Sequence, residues 1–267
     1  MQETSETGIQ NLRDEIRGFV HGLQRNKTWK RLVLLLGVMV SMVSYMYLNP
    51  PINPQIADFA TRFIALPGDF PVYIWRFIMS LLLLGILPLT LALVLGFKPA
   101  KLGLSWNWSF LKSRLYWLIF VLFVIIGVSS SRQADIFHFY PFAKSLVPFV
   151  KAHPWIFLIH ILLYVGLYYL PWEILFRGIL VFPFMSIANG KQLSTLEQYP
   201  AILIIAAMQT MPTTLMHLPH PIAETLGAIP FGIACGFLAI RYRSILAPLF
   251  VHATVGILLD LTIILST

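Results

Sequence analysis

Residues 168 to 180 read Tyr-Tyr-Leu-Pro-Trp-Glu-Ile-Leu-Phe-Arg-Gly-Ile-Leu, with apolar, membrane-grade sequence on both flanks. An acid, Glu173, and a base, Arg177, therefore stand one helical turn apart where ionisable groups are costly. A charge at a bilayer centre costs about 2.5 to 3.5 kcal/mol on insertion scales. Retaining two of them implies either a neutralised structural pair or a chemical site, and the stretch alone admits both. Pro171 adds a break, because it lacks an N–H and crowds the preceding turn.

Working outward, the composition agrees with a membrane setting. The chain is 58% hydrophobic and only 11% charged, with a mean hydropathy of +0.77. Too few polar residues exist to cover that apolar surface in water. Seven apolar stretches are long enough to cross a bilayer: about 32–48, 72–95, 115–128 with fraying, 155–187, 200–217, 222–240 and 244–265. The fourth is too long for one straight span, so it reads as one kinked helix or as two elements meeting at Trp172 and Glu173. The expected fold is an all-α polytopic bundle of seven to eight spans. It divides into a segment 1–31, N-terminal helices and connectors over 32–154, and a core over 155–267.

Residues 1–31 carry six Lys or Arg but no apolar core followed by a small-residue cleavage site, so no cleavable signal is expected. Ile9, Leu12, Ile16, Phe19, Val20 and Leu23 recur there at helical spacing beside basic residues, as in an amphipathic helix on an anionic membrane face. With seven spans, thirteen basic residues share the N-terminal side and five, Arg76 among them, the other. That bias places the N-terminus in the cytoplasm and accounts for the net charge of +8 as topology rather than nucleic-acid binding. Cys235 is the single cysteine, which excludes an internal disulfide and cysteine-metal sites. No repeat relates the two halves, which argues against an inverted-repeat transporter.

Polar chemistry gathers in the C-terminal half. Gln-Thr-Met-Pro-Thr-Thr-Leu-Met-His-Leu-Pro-His-Pro-Ile-Ala-Glu, residues 209 to 224, ends one span and begins the next, supplying His217, His220 and Glu224. The last span carries His252 and, two turns on, Asp260 with Gly256 between them. Such residues serve equally as polar glue between helices or as a shared pocket. His217, His220 and Glu224 are metal-ligand types, but intervening prolines spoil regular spacing and no His-Glu-x-x-His occurs, so no metal or cofactor is expected.

The order Glu-x-x-x-Arg-Gly, a helix-closing His, and then Arg-Tyr-Arg-Ser-Ile-Leu-Ala-Pro-Leu-Phe-Val-His resembles the CAAX-protease and bacteriocin-processing (CPBP, or Abi) family of intramembrane proteases, over about residues 160 to 265. The resemblance implies a helical core in which a glutamate and a histidine activate water while a second histidine and an asparagine stabilise the oxyanion. Glu173 matches the second glutamate of Glu-Glu-x-x-x-Arg, Arg177 its arginine, and His217 and His252 the later histidines. Three positions depart. Trp172 stands for the first glutamate, Thr213 for an aromatic and Gly256 for the asparagine. An indole cannot take a proton and glycine offers no side-chain donor, so Glu173 or Glu224 is the candidate substitute base.

Two functions follow from that resemblance. One is an endopeptidase cutting a membrane-associated or lipidated substrate, with catalytic Glu173, His217 and His252 supported by Arg177, Glu224, His220 and Asp260. The other is a silent relative that holds a membrane partner in the same cavity. Membrane lipids and a peptide or lipidated protein are the expected partners. The family's bacterial members point to a prokaryotic cytoplasmic membrane.

Overall fold

The computed structural model describes residues 13–18, 22, 28–50, 52–188 and 195–267. Those residues form helices α1 (Thr28–Tyr47), α2 (Gln55–Phe63), α3 (Phe70–Val94), α4 (Arg114–Ser130), α5 (Ala134–Phe139), α6 (Leu146–Ala152), α7 (Ile156–Met185), α8 (Thr195–Met216), α9 (Ile222–Tyr242) and α10 (Leu246–Ser266), with no strand among them. Five helices, α1, α3, α7, α9 and α10, are long and apolar enough to cross a membrane; α4 and the Ile202–Met216 part of α8 are shorter apolar helices. The amphipathic expectation for residues 1–31 lies mostly outside the described residues, of which 13–18 are helical.

Helix α7 resolves the question of the long apolar stretch. It is a single helical run of 30 residues, α-helical over Ile156–Tyr164 and widened into π-turns at Val165–Tyr169 and Ile174–Ile179. Pro171 lies between the two widened turns. Widening shifts backbone pairing by one residue and accommodates the proline without breaking the helix. A similar π-turn at Ser80–Ile86 precedes Pro88 in α3. The two proline-bearing helices meet closely: a Cβ on Gly85 would lie 3.1 Å from Pro171.

The main core runs between α1, α3, α7 and α10 through Leu34, Val38, Phe77, Leu84, Tyr164, Trp172 and Phe176, all buried. A second cluster, including Phe110, Tyr116, Leu238 and Val251, joins α4, α9 and α10. Outward faces carry exposed Val40, Leu118, Leu162 and Met211, the expected pattern for contact with lipid. α8 and α9 form a tight hairpin. Gly232 lies against Thr210 and Gly236 against Ala206, and Gln209 Nε2 donates to the Gly232 carbonyl at 2.7 Å. Small residues allow that approach, and the interhelical hydrogen bond adds to it.

The run Arg-Tyr-Arg-Ser-Ile, residues 241 to 245, closes α9 and sets where α10 begins. Arg243 takes the left-handed conformation, φ 47°, that ends α9. Asn107 Nδ2 donates to the Tyr242 carbonyl (2.6 Å), Ser105 Oγ to the Arg243 carbonyl (2.9 Å) and Ser244 Oγ to the Ser105 carbonyl (2.9 Å). Orphan carbonyls at the helix end are thereby satisfied by a neighbouring loop. The register of α10, and so the place of His252, follows.

Candidate functional site

Glu173 stands between the two widened turns of α7 and is completely buried. Its Oε1 accepts from His252 Nδ1 at 2.7 Å, and its Oε2 lies 3.3 Å from Arg177 Nε. The pair that opened the sequence reading is thus a triad. Arg177 neutralises the carboxylate, and the carboxylate fixes one imidazole across the bundle. With Nδ1–H committed to Glu173, neutral His252 presents an Nε2 lone pair.

A second cluster forms where α8 turns into α9. His217 Nδ1 donates to the Thr213 carbonyl (2.7 Å), which leaves Nε2 as the acceptor nitrogen, 3.9 Å from Glu224 Oε1. His220 Nδ1 donates to the same Glu224 oxygen at 2.8 Å, and Tyr140 Oη does so at 2.7 Å. Arg76 Nη2 approaches His220 Nε2 at 3.4 Å, which fits a proton on His220 Nδ1. Burial and the adjacent Glu224 carboxylate hold the Tyr140 phenol well above its ordinary pKa, so it stays a donor.

Trp172 joins the clusters. Its ring centroid is 5.4 Å from that of His217 and 6.2 Å from that of His252. Around them lies a cavity of about 500 Å³, lined by α4, the 133–140 connection, α7, the end of α8, α9 and α10. His217, Glu224, His252, Arg177, Thr213 and Gly256 border it, while Glu173, His220 and Asp260 do not. Glu173 therefore stands behind His252, and His220 behind Glu224.

Asp260 belongs elsewhere. Its Oδ2 is 3.1 Å from His160 Nε2, and His160 Nδ1 bonds the Tyr73 hydroxyl, in a buried polar cluster that joins α3, α7 and α10. Arg76, counted with the external connectors by sequence, is instead buried inside α3, with its cation 3.6 Å from the Phe142 ring centroid. His217, His220 and Glu224 bring three ligand-type atoms within 4.8 Å of one another. A cation there would have to displace the His220–Glu224 hydrogen bond and reverse the tautomer that faces Arg76.

Sequence reasoning missed Tyr140 and Arg76 because both act across long separations. Tyr140 sits in the connection held by Asp69, whose carboxylate accepts from the backbone N–H groups of Lys144 (2.5 Å) and Ser145 (3.2 Å). An intramembrane arginine was the available signal for Arg76.

Residues 152–258 match the family model described as Rce1-like, type II CAAX prenyl endopeptidase Rce1-like. No curated protein and no solved structure matches the chain. Over that segment the chain matches the CPBP family, and its several apolar helices make it an integral membrane protein.

Proposed function

We propose that this protein is an intramembrane endopeptidase that hydrolyses a peptide bond of a membrane-associated, lipidated substrate. The observation that carries the reading is the cavity wall on which His217 Nε2, Glu224 and His252 are presented together, each backed by a buried partner. A water beside Glu224 and His217 would lose a proton to that pair while its oxygen attacks the scissile carbonyl carbon. The proton taken up by the Glu224–His217 pair then passes through His252 Nε2 to the leaving nitrogen as the C–N bond breaks, with Glu173 holding the imidazole while it carries that proton. Glu173 and Arg177 act as positioning residues in this scheme, and His220 with Tyr140 orients Glu224 so that the missing carboxylate at position 172 is replaced from α9. Asp260 has a structural part, through His160.

Substrate class follows from the surroundings. The cavity is bordered by apolar residues of α4 and α9, among them Phe123, Ile126 and Phe231, which suits a segment or lipid chain arriving within the bilayer. Helix α4 and the apolar Ile202–Met216 part of α8 complete seven spans with the five long helices, with residues 32–154 as scaffold and 155–267 as core. With Arg76 moved into the membrane interior, the basic bias strengthens for a cytoplasmic N-terminus in a prokaryotic cytoplasmic membrane.

The test is cleavage of a quenched fluorescent, S-prenylated CAAX-type peptide by the full-length protein in lipid nanodiscs. Wild type should cut, and Glu224→Gln and His217→Ala should each lower kcat by roughly 10²-fold or more with peptide capture nearly intact. Full activity in Glu224→Gln would remove it as the base, and an inert wild type would contradict the endopeptidase reading. The binding-only alternative predicts capture without cleavage in every variant.

A further inference from the structure

We infer that Tyr169 supplies the hydroxyl that stabilises the oxyanion, from the space that Gly256 leaves open; the inference rests on the endopeptidase reading. Tyr169 lies on α7 four residues before Glu173 and is buried at 3% exposure. Its ring centroid is 4.6 Å from that of His252, and both residues border the cavity. A Cβ built on Gly256 would collide with the Tyr169 hydroxyl oxygen itself. The phenol therefore ends at the root of whatever side chain position 256 would carry, one helical turn past His252 on α10.

Chemistry and the rest of the wall point the same way. Attack on a carbonyl puts negative charge on its oxygen, and in a site within a bilayer that charge needs a fixed donor. Two other hydroxyls on the wall are committed. Tyr140 Oη donates to Glu224, and Thr213 Oγ1 to the carbonyls of Gln209 and Thr210. The indole N–H of Trp172 and Nη1 of Arg177 have no hydrogen-bond partner, but both atoms are buried. Tyr169 is different. Its ring packs on that of Tyr164, with centroids 4.4 Å apart. Tyr169 borders the cavity, and its hydroxyl can donate its proton to an acceptor there. No atom is transferred in this step: the hydroxyl hydrogen-bonds to the tetrahedral oxyanion and keeps its proton.

The substitution that isolates the hydroxyl is Tyr169→Phe, which keeps the ring against His252. With the S-prenylated CAAX-type peptide as probe, kcat should fall about 10²- to 10³-fold while KM stays within about 3-fold. Binding of the matching peptide aldehyde, whose hydrate mimics the tetrahedral intermediate, should weaken by a similar factor. If the phenylalanine variant does not fold, Gly256→Ala displaces the hydroxyl by its new Cβ and should show the same kcat loss. Wild-type kcat in a folded Tyr169→Phe or Gly256→Ala protein would overturn the assignment and leave the endopeptidase reading standing. A wild type that does not cleave would overturn both.

Discussion

Glu173 illustrates how a residue visible in the sequence can carry a role that the sequence does not disclose. Its place beside Arg177 at helical spacing was legible, as was the cost of keeping both in an apolar helix. What was not legible was His252, 79 positions away, on the other carboxylate oxygen. Removing the cation exposes the difference. Arg177→Met leaves a buried carboxylate with one imidazole partner and should cost about 3 to 5 kcal/mol, read as loss of thermal stability in detergent. Glu173→Gln keeps the shape but cannot hold an imidazolium, so it should lower kcat by roughly 10²-fold with little loss of peptide binding. Equal kcat in Glu173→Gln and wild type would contradict the positioning role. Asp260 shows the opposite limit, since helical periodicity put it on the His252 face but could not show that His160 reaches it first.

Elements were easier to read than their meetings. Apolar length identified the five long helices, and Pro171 identified the irregular place in α7, but neither disclosed the π-turns that keep α7 whole or the close approach of Pro171 to Gly85 of α3. The small-residue run 232–236 read as a packing face, and α8 lies against it. Gly236→Leu should therefore destabilise the hairpin by about 1 to 3 kcal/mol through overpacking, because a Cβ there already meets Ala206 Cα at 3.0 Å. Gly227 is the matched control on the same helix, with nothing within 4 Å of its would-be Cβ. Gly227→Ala should fold at least as stably as wild type, and a melting comparison of the two variants in one detergent checks the pair. Because both substitutions raise helix propensity, equal losses would contradict close approach at Gly236 as the distinguishing cause.

For the whole molecule, composition and basic-residue bias predict an orientation, and the connections that carry the site predict where labels reach. Cys235 is buried, so Cys235→Ser provides a background free of reactive thiol. In it, Trp106→Cys, on the exposed loop after α3, should react with an impermeant maleimide only when the cytoplasmic face is open, whereas Arg132→Cys should react from outside. Reversed labelling would invert the topology. The central claim, that the shared cavity cuts peptide bonds, is tested most directly by N-terminal proteomics of membranes holding wild type or the His217→Ala/His252→Ala double variant at equal abundance. The account predicts new peptide termini in membrane-associated proteins with wild type that vanish in the double variant; identical termini in the two, with biological activity preserved in the double variant, would contradict it.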